Sequence, residues 1–187
     1  LDRIIKSKRK PTFGNTIEAL EQSGYRLKRI EQIFFNLNSA ETSKEIQKIA
    51  QEVSPILTEY YNDITLNKDL FGKVRRVYEN RDKLNLNTEQ GKLLEDTYKI
   101  FVRSGANLTP GAKEEYRKVT TELSRLSLKF EENLLAETNA YKMHTTREAD
   151  LAGLPGFVKE AAALEAKSRN LEGWVFTLKA PSYLAFM

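Results

Sequence analysis

His144 is the only histidine among 187 residues, and the chain has no cysteine. A catalytic zinc generally takes three protein ligands, most often including histidines. Only carboxylates could complete such a set here, and no convergent carboxylate spacing accompanies His144. A Ser-His-Asp or Cys-His device would need the same imidazole, and no nucleophile-elbow pattern stands beside it. His144 therefore reads as a partly exposed strand residue. Glu131 and Glu132 are adjacent, so a helix would point them about 100° apart and make them poor acid–base partners. Arg103-Ser104-Gly105-Ala106-Asn107-Leu108 carries a glycine without the Gly-x-x-x-x-Gly-Lys-Ser/Thr spacing of a phosphate loop. A glycine just past a helix C-terminus explains it. Tyr60, Tyr61, Tyr98 and Tyr116 fall at helical spacing and read as core or groove-lining aromatics. The residues thus assign no catalytic or metal-binding role in this chain, and they leave substrate contacts open.

The elements that would position these residues are mostly helical. Asn15 reads as an N-cap, with Glu18 completing a capping-box pattern. Ile17, Leu20, Leu27, Ile30, Phe34 and Leu37 then recur at helical spacing to about Asn36. A second helix carries Ile46, Ile49, Val53, Ile56, Tyr60 and Ile64, and Pro55 within it is expected to kink it. Leu70, Phe71, Val74, Val77 and Tyr78 mark a third. Asn87 caps a fourth, with Gln90 at the reciprocal position. Thr109-Pro110 starts the longest helix, which reaches about Asn139. Its Val119, Leu123, Leu126, Phe130 and Leu134 form a seam expected to pack lengthwise against another long helix. Leu128 and Leu135 lie off the seam, so a second covered face is expected. Residues 140–146 read as a short strand and 174–178 as a better one, with an alanine-rich helix between them ending near Asn170. The fold expected is mainly α: one elongated domain over residues 1–187, about six helices with one long, and a small β element.

Composition excludes several classes. Hydrophobic residues make up 40% and charged residues 30%, an ordinary globular balance. No apolar run approaches the roughly 18 residues of a membrane span, and no signal-peptide h-region follows the basic start. Arg3, Lys6, Lys8, Arg9 and Lys10 against Asp2 account for the whole net charge of +4. Basicity confined to one terminal segment argues against a nucleic-acid stripe and for a solvated helix end. The first residue is Leu1, and the last stretch, Ala180 to Met187, is apolar; both ends read as cut from a longer chain.

Six segments in order resemble one family. Pro11-Thr12-Phe13-Gly14-Asn15-Thr16-Ile17-Glu18-Ala19-Leu20-Glu21 resembles its P-T-F-x-N-T-I-x-A-L-E block. Phe35 to Thr42 is similar to the block that follows, and Phe101 to Leu108 resembles its R-x-G-A-x-L segment. Leu123 to Asn139 resembles L-S-x-L-x-x-x-F-x-x-N-x-L-x-x-T. Asp150 to Pro155, then Trp174 to Leu178 with Pro181-Ser182-Tyr183, match further along. The family is that of thimet oligopeptidase, oligopeptidase A and peptidyl-dipeptidase, and the bacterial peptidyl-dipeptidases are the most similar branch.

That resemblance implies a zinc metallopeptidase acting on short, unfolded peptides in the bacterial cytoplasm, with a periplasmic site left open. Its His-Glu-x-x-His helix and a further glutamate hold the zinc, and the first glutamate is the general base. These residues lie C-terminal to the matched region, so none is carried over, and the isolated chain is expected to be inactive. The family's N-terminal half implies a helical lobe walling a deep channel opposite a catalytic lobe of the same polypeptide. The expected partners are that lobe and short peptides, with no nucleic acid and no membrane. The alternative is a stand-alone helical interaction module using the Val119–Leu134 seam.

Overall fold

The structure, a computed structural model, describes residues 1–186. Its contacts divide the chain into two compact units, Leu1–Leu128 and Lys129–Met187. The helical elements of the first unit are α1 (Asp2–Ile5), a π-helical turn (Phe13–Glu18), α2 (Ala19–Ser23), α3 (Tyr25–Ala40), α4 (Lys44–Thr65), α5 (Lys68–Glu79), a 3-10 turn (Arg81–Lys83) and α6 (Thr88–Arg103). The long helix α7 (Pro110–Ala140) begins in this unit and crosses the division. The second unit adds β1 (Met143–Thr145), α8 (Gly156–Ser168), β2 (Trp174–Phe176) and α9 (Ala180–Phe186). The mainly α reading therefore holds, with one long helix and a small two-stranded sheet.

Capping chemistry sets several boundaries. Asn87 caps α6 by accepting from the Gln90 backbone at 2.8 Å, while the Gln90 side chain accepts from the Asn87 backbone. Ser43 and Asn67 cap α4 and α5. At the first turn the cap differs from the sequence reading. Thr12, not Asn15, is the N-cap, and the side chain of Asn15 closes the box by accepting from the Thr12 backbone at 2.9 Å. The expected continuous helix also breaks at Gly24, between α2 and α3. α4 runs through Pro55 as one helix.

The first core gathers on α5. Leu70, Phe71, Val74 and Val77 lie at i, i+1, i+4 and i+7 and are almost wholly buried, with Ile4, Ile17, Leu94, Phe101 and Ala106 around them. Burial of each such side chain is worth about 1.5–3 kcal/mol. Tyr98 stacks on Tyr78 with ring centroids 3.9 Å apart. Phe71 stacks on Phe101 at 5.9 Å and on Tyr98 at 6.0 Å, within the range of favourable aromatic pairs. The Lys73 ammonium donates to the carbonyls of Ile4 and Ser7 at 2.8 and 2.5 Å, which ties down the C-terminal end of α1. Tyr61 of α4 donates to Glu31 of α3 at 2.5 Å. Burial first, and then this bond to a carboxylate, push its phenol up to about 12.

α7 departs from the expected packing. Its polar side chains face α4: Asn62 donates to Thr120 Oγ1 at 2.9 Å, and Thr121 donates to Glu59 at 2.8 Å. Arg117 pairs with Glu59 at 3.0 Å and Asp63 at 2.8 Å. The seam lies open instead. In the first unit Val119, Leu123 and Leu126 are 56%, 59% and 54% exposed, and in the second Phe130 and Leu134 are 67% and 56% exposed. Of the off-seam pair, Leu128 is buried and Leu135 is exposed. The seam therefore does not pack against another helix among the described residues.

In the second unit, β1 and β2 pair antiparallel with His144 opposite Val175. Leu151, Val158, Ala162 and Phe176 form the core, with Met143, Leu154 and Trp174 against it. Alanines on α8 let that helix lie close to β2. Asn170, at φ 56°, closes α8: its own N–H donates to the Lys167 carbonyl, and the N–H of Leu171 donates to the Ala166 carbonyl at 2.9 Å. Gly173 has φ +83°, and a Cβ there would lie 2.3 Å from the Thr145 carbonyl oxygen.

Leu70→Ala is expected to cost about 2–5 kcal/mol in urea unfolding, whereas Leu123→Ser on the open seam changes stability by less than about 0.5 kcal/mol. Equal losses would contradict the packing described. Gly173→Ala is expected to destabilise the second unit by about 1–3 kcal/mol from backbone strain, with the carbonyl clash adding to it; an unchanged unfolding midpoint would contradict that contact. For Tyr61 the raised pKa favours the neutral phenol in the fold. Its contribution is present below the ordinary tyrosine value of about 10 and is lost as pH rises toward about 12. Spectrophotometric titration of Tyr61→Phe should lack the late-titrating phenol; a curve that loses an ordinary phenol instead would refute it.

Candidate functional site

His144 sits at the centre of β1, exposed, with Nε2 2.7 Å from the Glu172 carbonyl oxygen. Among the described residues no group of three His, Asp or Glu side chains could hold a metal ion. The described residues therefore offer no three-ligand set for a zinc of the kind the family resemblance implies. Glu131 is exposed and Glu132 half-buried on α7, and neither forms with His144 a group that could hold a metal ion.

Gly105 closes a helix. At φ +83° its N–H donates to the Val102 carbonyl at 3.2 Å, and the Ala106 N–H donates to the Phe101 carbonyl at 3.0 Å. These two bonds satisfy carbonyls that the end of α6 would otherwise leave open. A Cβ at Gly105 would meet Leu108 Cδ1 at 2.7 Å. The turn thereby packs Leu108 and presents Asn107 beside α5.

The tyrosines divide. Tyr98 belongs to the aromatic stack of the first core. Tyr60 and Tyr61 line a groove of about 220 Å³ with Leu20, Leu27, Ile64 and Phe101. Tyr116 is half-buried on α7.

A second concavity went unnoticed in the sequence. Leu66, Phe71, Leu108 and Pro110 form the apolar part of a cavity of about 630 Å³, and Lys68, Arg75, Lys113, Glu114 and Arg117 supply its charges. The signal was present but faint: Lys113 and Arg117 stand four apart on one helix, and Lys68 opens another. Their meeting depends on α4, α5 and α7 converging, which no local pattern encodes. Among the described residues, no helix is long and apolar enough to cross a membrane.

Comparison with known proteins gives a consistent result. The chain is 36% identical to the dipeptidyl carboxypeptidase of Escherichia coli K12 over 169 residues, 90% of this chain and 25% of that protein. It is 34% identical to the Salmonella typhimurium dipeptidyl carboxypeptidase over 172 residues, 92% of this chain and 25% of that protein. It is 29% identical to the oligopeptidase A of Escherichia coli K12 over 187 residues, 100% of this chain and 28% of that protein. The chain thus spans about a quarter of the length of these relatives. No protein-family model matches it. Homology that runs through nine-tenths or more of its residues shows that this chain matches an N-terminal region of the dipeptidyl carboxypeptidase and oligopeptidase A family.

Proposed function

We propose that this chain is the helical N-terminal lobe of a zinc metallopeptidase that hydrolyses short unfolded peptides, and that the lobe itself is non-catalytic. The observation that carries this reading is the homology to a dipeptidyl carboxypeptidase and an oligopeptidase A over nearly all of the chain but only a quarter of theirs. In this reading the zinc and its ligands belong to the C-terminal catalytic lobe of the same polypeptide. The helical lobe walls the channel through which a flexible peptide enters, so it restricts substrates and does not cleave them. The site of action is the bacterial cytoplasm, and neither nucleic acid nor membrane is a partner.

Two features support the assignment. Val119, Leu123 and Leu126 on α7, and Ile30, Ile33 and Leu37 on α3, leave large apolar side chains exposed in the first unit. Apolar surface of this kind is ordinarily covered by a partner surface. The polar groups that do pair, such as Arg117 with Glu59 and Asp63, are spent on holding helices together.

Reading the source gene past the codon for Met187 is the direct test. The expected result is a continuing frame with His-Glu-x-x-His and a glutamate downstream. A stop codon there would withdraw the peptidase reading and favour a stand-alone helical interaction module using the α7 seam. The isolated chain is expected to bind no stoichiometric zinc by calorimetry and to leave an internally quenched peptide intact. Zinc-dependent cleavage by this chain alone would overturn the non-catalytic assignment.

A further inference from the structure

The 630 Å³ cavity of the first unit has the size of a small-ligand site. It opens between the N-terminal ends of two helices, α5 beginning at Lys68 and α7 beginning at Pro110, and both residues line it. Helix N-termini carry partial positive charge. The side chains add to it in a specific way. Arg117 is already matched by Glu59 and Asp63. Lys68, Arg75 and Lys113 take part in none of the ion pairs found among the described residues. Against them the lining offers one carboxylate, Glu114.

The central cation is held in place before any ligand arrives. The Arg75 guanidinium lies 4.6 Å from the centroid of the Phe71 ring and donates through Nη2 to Asn107 Oδ1. Asn107 is itself fixed by the Gly105 turn. Such a guanidinium keeps further N–H groups in a planar fork that matches two oxygens of a carboxylate or phosphate. Lys113 donates one hydrogen to the Leu66 carbonyl at 2.7 Å, which orients its ammonium and leaves two hydrogens for a second acceptor. Gly72 lies on the lining, and a Cβ there would meet nothing within 4 Å. Glycine inside a helix is less favourable than alanine, and at this position it leaves the space open.

We propose that this cavity binds a small organic oxyanion, its carboxylate or phosphate head held by Arg75, Lys113 and Lys68 and its apolar body resting on Leu66 and Leu108. This site is independent of the peptidase reading, since it needs no catalytic lobe and no zinc.

The test is calorimetric titration of the chain at low salt with two probes, succinate and inorganic phosphate. Three variants accompany it: Arg75→Gln, Gly72→Glu and, on the exposed surface of α4, Lys48→Gln. Gly72→Glu places a carboxylate in open space at the site, and thermal melting reports whether each variant is folded. The expected result is saturable binding of at least one probe, weakened by about tenfold or more in Arg75→Gln and Gly72→Glu and unchanged in Lys48→Gln. Saturation by succinate alone or by phosphate alone identifies the head group. No saturation by either probe, or equal weakening in all three variants, overturns the proposal.

Discussion

Burial of Leu70, Phe71, Val74 and Val77 along one side of α5 organises the first unit. That stripe receives α1 through Ile4, the π-helical turn through Ile17, and α6 through Leu94 and Phe101. The same helix sends Lys73 to the carbonyls that end α1, so a four-residue helix too short to persist alone is held by one ammonium and one buried isoleucine. Arg75, one turn on from Phe71, then reaches the turn after α6 through Asn107. A single twelve-residue helix therefore gives both the packing of this unit and two of the cations, Lys68 and Arg75, that line its cavity.

The second unit solves a smaller problem with different means. Its sheet has only two short strands, which are marginal in isolation. Alanines of α8 allow that helix to close over β2, and Leu151 and Phe176 fill the space between. Backbone conformation matters as much as burial here. Asn170 and Gly173 both take positive φ within a four-residue stretch, turning the chain from α8 into β2.

Local chemistry was legible in the sequence. The Asn87–Gln90 box, the Thr109-Pro110 start and the helix-ending Gly105 all depend on residues within a turn of one another, and each stands where it was read. The Thr12 cap was not, because Thr12 and Asn15 bond each other reciprocally and either could have been the first residue; the π-helical turn decided between them. The α7 seam shows a different limit. Periodicity reveals which residues share a face, but not which face is covered. Here hydrogen bonds and ion pairs from Arg117, Thr120 and Thr121 hold the polar side to α4, so the apolar side looks outward. The cavity was illegible for a related reason: Lys68, Arg75 and Lys113 come from two helices, and only tertiary convergence brings them together.

Phe71 belongs to two structures at once. One set of contacts stacks it with Phe101 and Tyr98 in the core, and another places the Arg75 cation over its ring at the cavity wall. A position so committed has little evolutionary freedom. A larger residue would press on the stack and a smaller one would let the guanidinium drift. Neutral drift in this chain should therefore run around residue 71, through the exposed faces of α3 and α4, long before it reaches that ring.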